Sequence, residues 1–271
     1  MISDDHDYFG TDEQKSALRR GRAMYEVVRN DPRFAYYGRG VGIASPDLGS
    51  LTELKALARL QGATNYSNVP NSAVESLSAD AQALGLNVIC RARWEGAAGA
   101  IETAQAVLAN TKMPPDLSLI WINEDTAPDT QQAFGEAAVS CGVLPPSMAT
   151  LTGRLKPGLA AAAQDSAGRV VSCAAAASIY HPEHADGRRE CWWGMLATRS
   201  ERRGEHLSLM LGAAVLLEMH KRHGFSAFFT GVEPGNKASE DVCRHIGFTL
   251  SDTCTLSVID PTLIPAGRLT K

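Results

Sequence analysis

The chain has 271 residues, 44% hydrophobic and 21% charged, with a formal net charge of −4, enough to bury a sizeable core in one large domain or two small ones. Its mild acidity gives no basis for nucleic-acid binding or for a basic face toward a membrane. No apolar run approaches the roughly 20 residues that span a bilayer, and the acidic start from Met1 to Asp7 does not resemble a secretory signal. Six cysteines, at 90, 141, 173, 191, 243 and 254, are widely spaced without a Cys-x-x-Cys pair. Several lie in apolar runs, so reduced, buried thiols in a cytoplasmic protein are expected.

In the first hundred residues Asp12–Val28 carries helical signals. The glycine-rich passage Tyr37-Gly38-Arg39-Gly40-Val41-Gly42 has the spacing Gly-x-Gly-x-Gly without a strand–turn–helix around it, so no cofactor role is expected there. Helices are predicted near 50–61, 72–84 and 97–110, and a strand near 86–94. Pro114-Pro115 punctuates the chain and sets a soft boundary between an N-terminal region, 1–113, and a C-terminal domain, 114–271.

Beyond it, Leu117–Ile122 is a predicted strand and 129–140 a helix. Segments 159–164 and 170–180 are strands joined by the turn Asp165-Ser166-Ala167-Gly168, although their alanines are poor strand formers. The strand Cys191–Thr198 follows, with Trp192 and Trp193 on opposite faces. A basic, glycine-containing turn, Arg199 to His206, then opens a helix on which Leu207, Met210, Leu211, Ala214 and Val215 share one apolar face. Its end carries His220, Lys221, Arg222 and His223 before Gly224, the signals of a helix stop. A strand at 227–232, a short helix at 237–246 and a final strand or hairpin at 248–258 complete the order β-β-β-α-β-α-β from residue 159. Such a turn is suited to phosphate, because the first amides of a helix lack internal partners and the dipole is positive there.

Two runs carry a resemblance. Arg203-Gly204-Glu205-His206-Leu207-Ser208 follows a strand at a helix start, and Asn236-Lys237-Ala238-Ser239 leads to Ile246-Gly247-Phe248. Together they resemble the acyl-CoA loop and the downstream signature of the GNAT superfamily of N-acetyltransferases, over about 117–260. The resemblance implies an α/β (α+β) fold, with a mixed, mostly antiparallel sheet flanked by helices and an additional N-terminal α/β region. It implies that acetyl-CoA is the cosubstrate, its pantetheine arm along Leu196, Ala197 and Thr198. Its pyrophosphate would lie on Arg203, Gly204, Glu205, His206, Leu207 and Ser208, with Asn236 and Ser239 as polar contacts. No metal is expected, although His181 and His184, and His220 and His223, are spaced as pairs.

The pattern departs from the family at three places. His206 and Ser208 stand where the loop usually has glycine, or glycine and alanine; His is among the residues that tolerate a left-handed backbone. Cys243 stands where the family often has an acidic Tyr, and is either a proton donor or helix packing. Candidates for the base are Glu190, Glu233, His181 and Tyr180. The expected activity is transfer of an acetyl or short acyl group from CoA to a primary amine of a small molecule. The alternative is a degenerate module that binds acyl-CoA or a partner without turnover. Residues 1–113 are expected to shape acceptor choice, either as a degenerate second copy of the fold or as a helical cap. No nucleic acid or membrane partner is expected, and a homodimer is left open.

Overall fold

The computed structural model describes residues 7–269. Helix α1 (Asp12–Val28) begins at a capping box in which Thr11 and Gln14 satisfy each other's backbone N–H groups. Strands β1 (Phe34–Tyr36) and β2 (Val41–Ile43) flank the glycine-rich passage, which is a hairpin turn rather than a nucleotide loop. Then follow α2 (Leu51–Gln61), β3 (Ala63–Pro70), α3 (Val74–Ala83), β4 (Asn87–Gly96) and α4 (Ala98–Asn110). The remaining elements are β5 (Leu117–Ile122), α5 (Pro128–Ser140), α6 (Met148–Leu151), β6 (Gly158–Asp165), β7 (Val170–Ala177), β8 (Glu190–Thr198), α7 (Leu207–His223), β9 (Ala227–Val232), α8 (Lys237–His245) and β10 (Thr249–Ile259). The predicted order from residue 159 onward is the observed one, with the last segment a single long strand. Among the described residues, no helix is long and apolar enough to cross a membrane.

All ten strands form one sheet in the order β1-β2-β3-β10-β4-β9-β8-β7-β6-β5. Neighbours are antiparallel except β2/β3 and β8/β9. The position 113/114 falls in the connection between α4 and β5, yet the strands on its two sides interleave. β4, from the N-terminal region, lies between β9 and β10, while β10 lies between β3 and β4. The same run of ladders occurs twice, β1-β2-β3-β10 and β7-β8-β9-β4, each antiparallel, parallel, antiparallel.

The alanine-rich strands form because helices cover both of their faces. Ala160–Ala163 and Ala174–Ala177 are buried without exception; α7 packs on one side and α5 on the other. Small side chains let both helices approach the sheet closely, and burial against neighbours outweighs the weak intrinsic propensity of alanine. The predicted apolar face of α7, Leu207, Met210, Leu211, Ala214 and Val215, is buried throughout. Trp193 lies in that core, where its indole donates to Gly212 O at 2.8 Å and packs against Phe248 at 4.9 Å between ring centroids. Trp192 belongs to the opposite core, with Phe134 and Phe229. Gly247, at φ +83°, ends α8 in a left-handed turn that drives Phe248 inward. All six cysteines are unpaired; four are buried, while Cys90 and Cys141 are partly so.

Candidate functional site

The site starts at a parting of strands. β8 and β9 pair only over Glu190–Trp192 and Ala227–Phe229. Beyond Trp192 a bulge adds one residue to β8 relative to β7, between Gly194 and Ala197, and Met195 there has φ +55°. A bulge bends and further twists its strand, so β8 leaves β9 and their facing backbone edges separate. Ala197 and Thr198 keep their ladder with β7, Leu196 lies in the bulge itself, and the other edge of all three faces a gap. That is the place expected for a pantetheine arm.

At the end of β8 the chain makes a single 3-10 turn, Ser200–Arg202, and enters α7 through Arg203–His206. His206 is the N-cap residue at φ 58° and ψ 17°, and Gly204 has φ +87°. The left-handed region tolerated by His is thus the conformation it adopts, and no side chain caps the helix. Among the described residues, none of the N–H groups from Gly204 to Leu209 has an acceptor. Consecutive free amides around left-handed residues form an anion-binding concavity, and the helix dipole adds to it.

The charged side chains divide unequally. Arg203 is exposed and makes no ion pair among the described residues, so it is free to meet a phosphate. Arg202 is not: its guanidinium is held by Asp116 at 2.6 Å and Glu205 at 2.7 Å. The side chain of Glu205 therefore serves Arg202, and only its backbone N–H faces the concavity. Ser208 turns back toward the strand, with Oγ 2.7 Å from Thr198 Oγ1, itself 2.8 Å from Ser172 Oγ. That hydroxyl chain fixes the helix start to the ends of β8 and β7.

The gap opens into a cavity of about 820 Å³ lined from both faces of the sheet. Trp193, Leu196, Asn236, Ser239 and Cys243 lie on the α7 and α8 side; Trp192, Met195, Phe229 and Arg91 lie on the other. Asn236 also caps α8, its Oδ1 accepting from Ser239 N at 3.3 Å. Glu233 lines the cavity at the end of β9, half exposed, with Arg268 3.9 Å away. Cys243 is buried in the cavity wall on the α8 side, and burial pushes its thiol up to about 12. That rise makes it a poor proton donor, since an ordinary thiolate takes its proton near 8.5; packing accounts for it.

Glu190 does not line the cavity. It is buried at the closed end of the gap, where Oε2 accepts from Arg93 at 2.5 Å. Burial pushes its carboxyl up while Arg93 pulls the other way. A carboxylate shut behind the paired ends of β8 and β9 and engaged by a guanidinium cannot reach an incoming amine, so the sequence-based placement of Glu190 as a base is corrected. Tyr180 is likewise buried, stacked on His184 at 4.5 Å, and His181 faces a separate groove. His220 Nδ1 lies 2.8 Å from Phe225 O, consistent with a helix-terminal role. Among the described residues no group of three or more His, Cys, Asp or Glu could hold a metal.

Several lining residues escaped the sequence reading. Tyr37, Arg39, Asn65, Arg91, Thr255 and Ser257 come from the N-terminal half and from β10. Tyr37 and Arg39 lie in the glycine-rich passage, and Asn65 lies on β3, whose buried positions Thr64, Tyr66, Ser67 and Val69 do not alternate strictly, so none of these residues signalled a cavity.

No family model matches the sequence, and neither does any curated protein. Solved structures do. A GCN5-related N-acetyltransferase from Kribbella flavida superposes with a TM-score of 0.54 at 12% identity, over 90% of this chain and 95% of that one. A Drosophila protein gives 0.52 at 14%, over 92% and 89%. A protein of unknown function from Staphylococcus epidermidis gives 0.51 at 9%, over 85% and 92%. The bulged strand parting from its parallel neighbour, the uncapped helix behind it and these superpositions together show that the chain has the fold of the GCN5-related N-acetyltransferases, the GNAT fold.

Proposed function

We propose that the protein is an acyl-CoA-dependent N-acyltransferase that moves an acetyl or short acyl group to a primary amine of a small molecule. The observation that carries this is the row of free amides from Gly204 to Leu209, set at the outer end of an open gap between β8 and β9. The amides and Arg203 suit a pyrophosphate. The free edge of β8 at Leu196–Thr198 suits an extended arm that pairs with backbone, and Asn236 and Ser239 offer polar contacts from the other wall.

In this arrangement the chemistry is mostly positioning. The amine nitrogen attacks the acyl carbon, a C–N bond forms, the C–S bond breaks and its electron pair leaves on sulfur. The ammonium of the acceptor must first lose a proton. We assign that step to Glu233, the carboxylate that lines the cavity, acting directly or through water. The proton that the nitrogen sheds as the amide forms ends on the leaving sulfur, directly or through water, because a thiol with a pKa of about 8.5 is mostly protonated at neutral pH.

Thiol release from acetyl-CoA across a panel of amines tests the reading. Acceptor-dependent release by the wild-type chain is expected, together with coenzyme affinity measured by calorimetry. Tight coenzyme binding without release for any amine would show instead a module that holds acyl-CoA without turnover.

A further inference from the structure

Four ionic side chains line the cavity: Arg39, Arg91, Arg268 and Glu233. Arg268 stands opposite Glu233. Arg39 and Arg91 pair with no carboxylate among the described residues. Arg39 sits on the hairpin turn between β1 and β2, fixed by a hydrogen bond from Nε to Leu144 O at 2.8 Å, with its guanidinium 5.4 Å from the Trp192 ring. Gly21 of α1 lets the helix lie directly on that turn, since a Cβ there would meet Arg39 O at 2.3 Å. Arg91 projects from β4 over Gly231 of β9, whose missing side chain leaves the room; a Cβ there would come within 3.3 Å of the Arg91 Cβ. Register places Arg91 opposite Thr255 and Asn65 opposite Ser257, so these polar groups share one face of the sheet as a floor. Among the described residues, the Tyr37 hydroxyl beside them is buried without a hydrogen-bond partner.

Two guanidinium groups facing one partly enclosed space destabilise each other. Burial and Arg91 together push Arg39 down to about 10, and burial lowers Arg91 as well. Glu233 pulls Arg91 the other way but forms no ion pair with it; a partly buried charge without an ion-pair partner is costly, and the partner that fits a pair of guanidinium forks is an oxyanion. Coenzyme phosphates are not that partner by position: Thr198 and residues 203–208, around the helix N-terminus, do not line the cavity. The arginines lie across the sheet from α7, on the side built by the N-terminal half.

We propose that the acyl acceptor is an amine that also carries an oxyanion, a carboxylate or a phosphate, held between Arg39 and Arg91 while its amine lies toward Glu233 and the gap. This inference rests on the transferase reading for its turnover but not for its binding. It gives the N-terminal half a defined part in acceptor choice, through the β1–β2 turn, β3 and β4.

The test uses the full chain with acetyl-CoA and a panel of amino acids, each beside its carboxamide, with O-phosphoethanolamine beside ethanolamine as the phosphate arm. Thiol release gives kcat and KM; calorimetry on the CoA-loaded protein gives binding of the same compounds without turnover. The anionic member of at least one pair is expected to be preferred by roughly ten- to hundredfold, the range of a charge-assisted contact. Which arm shows the preference distinguishes carboxylate from phosphate. Arg91→Gln is expected to abolish the preference through KM, with kcat and coenzyme affinity little changed. Arg39→Gln should do the same, and Arg91→Gln carries the test if loss of the bond to Leu144 unfolds the turn. Equal use and equal binding of neutral and anionic amines overturns the proposal, as does a loss of coenzyme affinity in Arg91→Gln that matches the loss for acceptor. If no amine accepts the acyl group, the transferase reading falls, and the oxyanion site is decided by calorimetry alone.

Discussion

Arg93 on β4 reaches across β9 to Glu190 on β8, Nη2 donating to Oε2 at 2.5 Å, with its guanidinium 3.8 Å from the centre of the Phe229 ring between them. The two residues thus clamp three strands at the one place where β8 and β9 still pair. Arg93 also holds Glu95 at 2.5 Å and is almost wholly buried. The clamp marks where the gap begins, since the strands diverge immediately after Trp192.

Removing one partner of a buried ion pair costs about 3–5 kcal/mol where it leaves the other charge uncompensated; Glu95 still engages Arg93, so the loss here is about 1.5–3 kcal/mol, that of a hydrogen bond to a charged group. Glu190→Gln is therefore expected to lower unfolding stability by an amount on that order, measured by urea denaturation. Coenzyme affinity of the folded fraction should be unchanged, because Glu190 does not line the cavity. A stability loss below about 1 kcal/mol, the level of an exposed pair, would sink the clamp.

Arg202 and Arg203 are adjacent but have different duties. Arg203→Glu is expected to weaken coenzyme binding by roughly tenfold or more, since it replaces an attraction with a repulsion beside a phosphate. Arg202→Gln should leave affinity within about threefold, because Asp116 and Glu205 already engage that guanidinium. His206→Gly relieves a left-handed backbone that costs a non-glycine residue roughly 1 kcal/mol. Retained affinity and an equal or higher melting temperature are its expected results. Calorimetric titration with CoA checks all three, and equal losses in Arg202→Gln and Arg203→Glu would contradict the division of duties.

Much of this was legible in sequence where one local rule acted alone. The α7 face followed helical periodicity, and His206, standing where the loop usually has glycine, is a residue type that tolerates the left-handed backbone it adopts. The Gly247-Phe248 pair was legible only as part of the downstream signature; the left-handed turn and the inward ring are what the structure adds. What failed to show was set by partners far along the chain. Glu190 stands at a strand end, where a carboxylate is ordinarily solvated; only the reach of Arg93, 97 residues away, buries it. The short strands β1 and β2 have too few residues for a period to register. β3 hid because its cavity-facing side is polar, so it lacks the apolar alternation that marks a half-buried strand. Arg39 lay in a glycine-rich run whose spacing pointed to no ligand, Arg91 carried no motif, and only the interleaving of β4 and β10 brings Arg91 to the site.

Gly212 is the place where α7 accepts the Trp193 ring. A Cβ there would lie 2.6 Å from the indole Cζ2, while the indole N–H donates to Gly212 O. Gly212→Ala gains helix propensity of about 1 kcal/mol, yet forces the indole out of a packed core at a cost of roughly 1–3 kcal/mol. The second effect is expected to win, giving a lower denaturation midpoint and altered near-ultraviolet dichroism. A midpoint raised by the full propensity gain would show that Trp193 shifts freely.

Lys156 offers a test by pH. Its Nζ donates to Ile179 O at 2.6 Å and lies 5.7 Å from the Tyr25 ring, with no ion pair among the described residues. Burial lowers it to about 7, against 10.5 for the free side chain. Between those values the unfolded chain holds a proton that the folded chain does not, so this group makes stability rise with pH across that window. Below about 7 both states are protonated, and the penalty is complete and constant. Lys156→Met removes the titrating group without orphaning the carbonyl, because Tyr36 N still donates to Ile179 O at 2.9 Å. The stability difference, variant minus wild type, is therefore expected to be largest at pH 7 and to shrink steadily toward pH 10. Urea midpoints at half-unit intervals measure it, and a difference that stays flat across the window would show that Lys156 titrates alike in both states.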